Sequence, residues 1–90
     1  MNMEYEITHV PEHNKFVTEV DGETAYVGYN IYEDYLNIAH TYVPREIGGR
    51  GVAAALVEAT YKYALEQGLK PQATCSYAVL WLRRHPEFMK

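Results

Sequence analysis

The stretch Val43-Pro44-Arg45-Glu46-Ile47-Gly48-Gly49-Arg50-Gly51-Val52-Ala53 separates two different sequence patterns. Before it, apolar and polar residues alternate, which is typical of β-strands with one buried face. After it, apolar residues recur at the spacing of one helix face, at Val52, Leu56, Ala59 and Tyr63. A helix is therefore predicted over Val52–Glu66, ending before Gly68, since glycine suits the position after a helix C-terminus.

The segments around this helix predict an α+β fold. Strands are predicted over residues 5–9, 15–20, about 25–32, 35–43 and 69–75, and a second helix over 77–84. The order is β-β-β-β-α-β-α, a mostly antiparallel sheet in which a right-handed β-α-β crossover makes the last strand parallel to the fourth. Asp21-Gly22 is a strong hairpin turn between the second and third strands.

Side chains alternate between the two faces of a strand, so the sequence also predicts which residues lie together. One face of the third strand is expected to carry Ala25, Val27, Tyr29 and Ile31. One face of the fourth is expected to carry Leu36, Ile38, His40 and Tyr42.

The composition favours a single domain over residues 1–90, with 48% apolar residues and a net charge of −4. The basic residues are scattered, which argues against a nucleic-acid partner and favours a neutral or cationic substrate. The longest apolar run, Val52–Val57, is too short to cross a membrane, and residues 1–6 do not resemble a signal peptide. Cys75 is the only cysteine, which excludes an intramolecular disulfide and predicts a reducing, cytoplasmic location.

No metal site is predicted, because the histidines lack ligand spacing and Cys75 stands alone. His9, His13 and His85 are expected at the surface. The glycine cluster Gly48–Gly51, directly before a helix, instead predicts an anion site, since backbone can approach a ligand there and the first helical N–H groups are free. A purely structural turn is the other interpretation of these glycines.

The spacing of the glycines can be compared with the known phosphate-binding motifs. The P-loop pattern is absent. Residues 49–54 match the dinucleotide pattern G-x-G-x-x-A, but residues 69–72, where that site needs a carboxylate, carry none. The preceding strands form hairpins instead of a parallel sheet, so this match is a false positive.

The glycine stretch resembles the acetyl-CoA signature of the GNAT superfamily of N-acetyltransferases, Gln/Arg-x-x-Gly-x-Gly/Ala. Gly51 and Ala53 match the last two defined positions, and Gly48 departs from Gln/Arg at the first. Over residues 37–87 the chain is similar to small, truncated GNAT-like domains. The shared blocks are His40-Thr41-Tyr42-Val43, Gly68-Leu69-Lys70, Cys75-Ser76-Tyr77 and Arg84-His85-Pro86-Glu87.

This resemblance implies acetyl-CoA as the cofactor. The cofactor-binding residues it implies are Thr41, Val43, Ile47, Gly48, Gly49, Arg50, Gly51, Val52, Ala53, Ser76 and Tyr77. By the same resemblance Cys75 is a candidate nucleophile, although a lone cysteine is often a small buried hydrophobe. His40 is the candidate general base, because a histidine can accept a proton near neutral pH. The alternative interpretation is a hydrogen-bonded structural histidine at a strand end.

The implied function is acetyl transfer from acetyl-CoA to a small-molecule or peptide amine. The connection at residues 21–24 has no room for the helices that help to shape the acceptor site in larger GNAT enzymes. A CoA-binding module with little or no catalytic activity is therefore an alternative, and a protein-interaction domain with a merely structural glycine loop is a third.

Overall fold

The computed structural model describes residues 5–89. The strands are β1 (Thr8–Val10), β2 (Lys15–Val20), β3 (Glu23–Tyr32), β4 (Tyr35–Tyr42) and β5 (Lys70–Ala73), and the helices are α1 (Val52–Glu66) and α2 (Ser76–Arg84). Short 3₁₀ turns occupy Pro11–His13, Arg45–Ile47 and Pro86–Met89. This order confirms the predicted α+β fold. The first strand was predicted over residues 5–9 and instead spans Thr8–Val10. The expectation that residues 1–6 are not a signal peptide falls largely on residues 1–4, which lie outside the described residues.

The five strands form one sheet in the order β1-β2-β3-β4-β5. The first four are antiparallel neighbours, and β5 pairs with β4 in parallel, as predicted. Asp21 and Gly22 both have positive φ, 52° and 79°, which is the conformation of a tight hairpin turn. Gly68 ends α1 at a φ of 75°, also as predicted.

The core lies between α1 and one face of the sheet. α1 turns Val52, Leu56, Val57, Thr60, Tyr61 and Ala64 toward the strands. The sheet contributes Phe16, Ala25, Val27, Tyr29, Leu36 and Ile38, and α2 adds Ala78, Trp81 and Leu82 beside the β5 edge. Ile31 lies on the same face of β3 as Ala25, Val27 and Tyr29, as predicted, and is 45% exposed near the β3–β4 turn.

Two histidines predicted at the surface are half-buried, so that prediction is wrong for them. The His9 ring stacks on Phe16 with centroids 4.1 Å apart, and its Nε2 lies 2.6 Å from the Tyr29 hydroxyl. Burial lowers the pKa of His9, against the opposing effect of Glu12. His85 stacks on Trp81 at 3.8 Å. Both rings pack on aromatic side chains, which supply the apolar contact that outweighs their polarity.

A bulge in β4 changes which side chains face the core. Tyr29 pairs with Ile38 and Gly28 pairs with His40, so Ala39 has no partner in β3. Because one extra residue inverts the alternation, Thr41 pairs with buried Val27 and faces α1, whereas His40 lies on the opposite face.

The prediction that His40 and Tyr42 share a face with Leu36 and Ile38 is therefore wrong. His40 is exposed and packs over Gly28, and the Tyr42 ring lies 5.7 Å from that of Tyr26. Among residues 5–89, no helix has both the length and the apolar character needed to cross a membrane. The same residues contain no group of three or more metal-ligating side chains.

Candidate functional site

A cleft forms where β4 and β5 separate. The Ile38 carbonyl accepts hydrogen bonds from the N–H groups of both Thr74 and Cys75, at 3.1 and 3.2 Å. β5 ends at Ala73, while β4 continues to Tyr42 with β3 as its only strand partner among the described residues. α2 begins directly after Cys75, and α1 begins after the loop that follows β4. Both helix N-termini therefore lie close to the cleft.

The glycine loop borders a cavity of about 280 Å³ in this cleft. Its lining combines the loop, the first turn of α1 and one side chain of α2: Val43, Gly48, Gly49, Gly51, Val52, Ala53, Ala54 and Tyr77. Gly49 and Gly51 have φ values of +78° and +79°, and a Cβ added to either would meet no atom within 4 Å. Their backbone thus faces open space, which allows close approach by a ligand.

The start of α1 offers hydrogen-bond donors and a positive dipole to this cavity. Gly51 is the N-cap and supplies no side-chain cap, and the first turn carries no acidic residue. The first intrahelical bond from an N–H in this region is that of Ala55 to the Gly51 carbonyl. The N–H groups of Val52, Ala53 and Ala54 precede it, so the geometry suits a phosphate or pyrophosphate group.

Cys75 lies across the cleft at the N-cap of α2. Its Sγ is 3.4 Å from Thr41 Oγ1, on the α1 side of the sheet. Burial alone would raise the pKa of the thiol, but the Thr41 hydroxyl and the backbone groups of Ala78, Tyr77 and Thr41 outweigh it and lower the pKa. Two of the groups that lower this pKa, the backbone groups of Tyr77 and Ala78, belong to the first turn of α2.

Tyr77 is the second titratable side chain near the cleft. Burial raises its pKa, and Arg84 opposes this shift. The phenol therefore stays protonated at neutral pH and can donate a hydrogen bond to a bound molecule.

Most of the residues predicted to bind a cofactor are brought together. Seven of the eight residues lining the cavity were predicted, and Ala54 was missed although it belongs to the same helical turn. Thr41 contacts Cys75, and Ser76 begins α2 beside it. The side chain of Ile47 is 1% exposed and belongs to the core, so only its backbone is available.

The other two predicted side chains point elsewhere. Arg50 forms an ion pair with Asp21 at 2.7 Å, and its carbonyl accepts a hydrogen bond from the Tyr5 hydroxyl. His40 lies on the opposite face of the sheet from Thr41, the residue that contacts Cys75. The structure therefore does not bring His40 and Cys75 together as a base and nucleophile pair.

The family profile described as GCN5-related N-acetyl-transferase matches residues 15–90. The chain belongs to the GCN5-related N-acetyltransferase family. This finding confirms the resemblance drawn from the glycine stretch and the blocks around it. The family uses acetyl-CoA, and the donors at the start of α1 suit the phosphate groups of that molecule.

Curated proteins from several vertebrates are similar to part of this chain. "Protein NATD1" from Gallus gallus is 34% identical over 61 residues, which cover 68% of this chain and 52% of the relative. The Homo sapiens protein of that name is also 34% identical over 61 residues, covering 68% and 50%. This chain thus spans about half the length of these relatives.

A solved structure shows the same fold. The NMR solution structure of a GCN5-like protein from Staphylococcus aureus superposes with a TM-score of 0.72 at 33% sequence identity. The match covers 92% of this chain and 82% of that one. The five-stranded sheet with its two helices is therefore the fold of this family.

Proposed function

We propose that the protein is an acetyl-CoA-dependent N-acetyltransferase acting on an amine. The observation that carries this proposal is the cleft itself, where the backbone of residues 48–54 and the uncapped start of α1 lie opposite the cysteine at the start of α2. Membership of the GCN5-related N-acetyltransferase family supports it.

Acetyl-CoA would supply an acetyl group activated as a thioester. The N–H groups of the loop and of the first α1 turn would hold its pyrophosphate, because they are donors without side-chain caps. Tyr77 lines the same cavity and would donate its phenolic proton to a polar atom of the cofactor. The absence of a Gln/Arg side chain at Gly48 removes one side-chain contact and no backbone donor.

Cys75 has the chemistry of a nucleophile in this setting. Its pKa is lowered, and a thiolate is the reactive form of cysteine. A covalent relay through this sulfur and direct attack by the amine are the two routes that remain. The net charge of −4 favours approach of a cationic amine in either case.

A CoA-binding module with little or no catalytic activity is the second candidate, and one observation favours it. Among the described residues that line the cavity, Tyr77 is the only titratable side chain, and it is no base at neutral pH. Because His40 lies on the other face of the sheet, no histidine is placed to deprotonate a substrate within the cavity.

The test is a titration with acetyl-CoA followed by NMR and by intact mass, on the wild-type protein and on Cys75→Ser. Amide shifts centred on residues 49–53 are expected, together with a single acetyl adduct that Cys75→Ser lacks. Shifts with neither an adduct nor acetylation of added amines would favour the binding module. If millimolar acetyl-CoA causes no shift, the acetyltransferase proposal is wrong.

A further inference from the structure

The polar side chain of Asn37 is buried on the sheet face that points away from α1. Asn37 is 5% exposed and lies in the middle of β4. Its Nδ2 donates to Asn30 Oδ1 at 3.0 Å and to Thr74 Oγ1 at 3.1 Å. No donor among residues 5–89 reaches its Oδ1. A buried carbonyl oxygen without a donor is unfavourable unless a bound molecule satisfies it.

The side chains around Asn37 are polar and include two further amides. Asn30, Asn37, Gln72 and Thr74, here called the amide cluster, come from three adjacent strands or their ends. The Tyr32 hydroxyl donates to Gln72 Oε1, so Tyr32 of β3 reaches over β4 to β5. The cluster therefore contains three amide oxygens, of which Asn30 Oδ1 and Gln72 Oε1 already accept a hydrogen bond, whereas Asn37 Oδ1 accepts none from residues 5–89.

The amide cluster also lies next to the point where β4 and β5 separate. Thr74 directly follows the last residue paired with β4, and its hydroxyl faces Asn37. The next residue, Cys75, turns its sulfur to Thr41 on the α1 side. A molecule on the amide cluster and a group held in the cleft would thus meet through the gap between the two strands.

We propose that the amide cluster binds the amino group of the acceptor substrate, an inference that rests on the proposed function. An ammonium group has donors only, and it can supply the hydrogen bond that the buried Asn37 Oδ1 lacks. The Tyr32 and Tyr35 rings, with centroids 5.7 Å apart, add aromatic faces that favour a cation. Divalent metal ions prefer carboxylates, and the amide cluster contains none.

The charged groups beside the amide cluster are compatible with a cationic ligand. Lys70 lies over the Tyr35 ring at 5.7 Å, but its Nζ is 3.3 Å from the Asp34 carboxylate. That ion pair offsets its positive charge, so Lys70 does not exclude an ammonium group.

The experiment is an NMR titration with n-butylamine, with n-butanol as the uncharged control of equal length. The side-chain NH₂ signals of Asn37, Asn30 and Gln72 are expected to shift with the amine only. Tyr32→Phe frees Gln72 Oε1 without disturbing a buried residue, so it should tighten amine binding by about 2- to 10-fold, the value of one hydrogen bond. Asn37→Leu should abolish the response, and Thr24→Val, on the same sheet face, should leave it unchanged.

The outcomes separate this inference from the proposed function. Loss of the amine response in Asn37→Leu, with acetyl-CoA binding retained, supports the inference. If acetyl-CoA binds and the amine leaves the three amide signals unmoved, the inference is wrong and the proposed function stands. If the amine binds and acetyl-CoA does not, the proposed function is wrong while the amine site remains. Weaker amine binding in Tyr32→Phe would overturn the assignment of Tyr32 as a competing donor.

Discussion

The N-termini of α1 and α2 lie at the same cleft, but different groups lie in front of their free N–H groups. Neither helix has a side-chain cap. The N-cap of α1 is Gly51, which has no side chain, and the first turn of this helix lines a cavity. The N-cap of α2 is Cys75, and the backbone groups of Tyr77 and Ala78 lower the pKa of its thiol.

The difference indicates a division of roles within one cleft. An uncapped helix start stabilises whatever negative charge lies in front of it. At α1 that charge would have to come from a ligand, whereas at α2 it can be the protein's own thiolate. Substitutions that act on one helix start and spare the other can therefore test the comparison.

Gly51→Ala should have the largest effect, and it acts on α1. An alanine at positive φ costs about 1–2 kcal/mol, and its methyl group would project toward the cavity. We expect acetyl-CoA affinity to fall about tenfold, or ~1.4 kcal/mol, measured by calorimetry. Gly68→Ala is the matched control, since Gly68 also has positive φ with open space around it. Equal losses of affinity in the two variants would contradict a ligand site at α1.

Thr41→Val should act on α2 alone. Removing the hydroxyl beside Sγ raises the pKa of Cys75, because the thiolate loses a donor. The rate of alkylation by iodoacetamide at pH 7 should fall several-fold, up to about tenfold for one unit of pKa. Thr24→Val is the control, because Thr24 is exposed and lies on the sheet face opposite to that of Thr41. An unchanged rate in Thr41→Val would mean that the α2 backbone sets the reactivity by itself.

The pH dependence of the free energy of unfolding should report on the Cys75 thiol at the start of α2. The pKa of Cys75 is lower in the folded protein than in an unfolded chain. Its contribution to stability is thus fully present above the unfolded pKa and lost as pH falls through the folded pKa. The free energy of unfolding of the wild-type protein, relative to Cys75→Ser, should rise modestly between pH 7 and 9.5 in urea titrations. A flat difference would contradict a thiolate stabilised by folding.

Arg50→Ala should have the smallest effect. Its ion pair with Asp21 is exposed, with side chains 47% and 67% accessible, and such pairs contribute about 0–1 kcal/mol. If Arg50 leaves Asp21 to contact the 3′-phosphate of CoA, affinity should fall about threefold, or ~0.7 kcal/mol. The loss should vanish with 3′-dephospho-CoA, and Asp21→Asn should raise the affinity for CoA. Equal losses for both ligands would exclude that phosphate contact.

Local patterns predicted the elements of the fold well. α1 spans Val52–Glu66 and β2 spans Lys15–Val20, both with the predicted bounds. These bounds follow from hydrophobic spacing and from turn residues such as Asp21-Gly22 and Gly68, which act over a few positions. The cavity lining was predictable for the same reason, because the glycine loop and the α1 turn are contiguous in sequence.

The contacts between distant residues were not predictable in this way. Gly28, inside β3, lies opposite the bulge at Ala39, and a glycine within a strand can indicate such an irregularity, but the alternation of apolar and polar residues does not show it. The bulge decides that Thr41, instead of His40, faces Cys75. The Arg50–Asp21 ion pair and the contacts of Asn37 depend on how separate strands and loops meet. The prediction from alternation assumed an unbroken strand. One unpaired residue, Ala39, reverses which side chains of β4 after it face α1.

β5 has a consequence for self-association. In this edge strand, the N–H groups of Lys70 and Thr74 bond toward β4, so those of residues 71 and 73 point away from it. Residue 71 is Pro71, which has no N–H to offer. An incoming strand would find only one backbone donor on this side, that of Ala73. This limits the backbone hydrogen bonds that a strand from another molecule could form with the β5 edge.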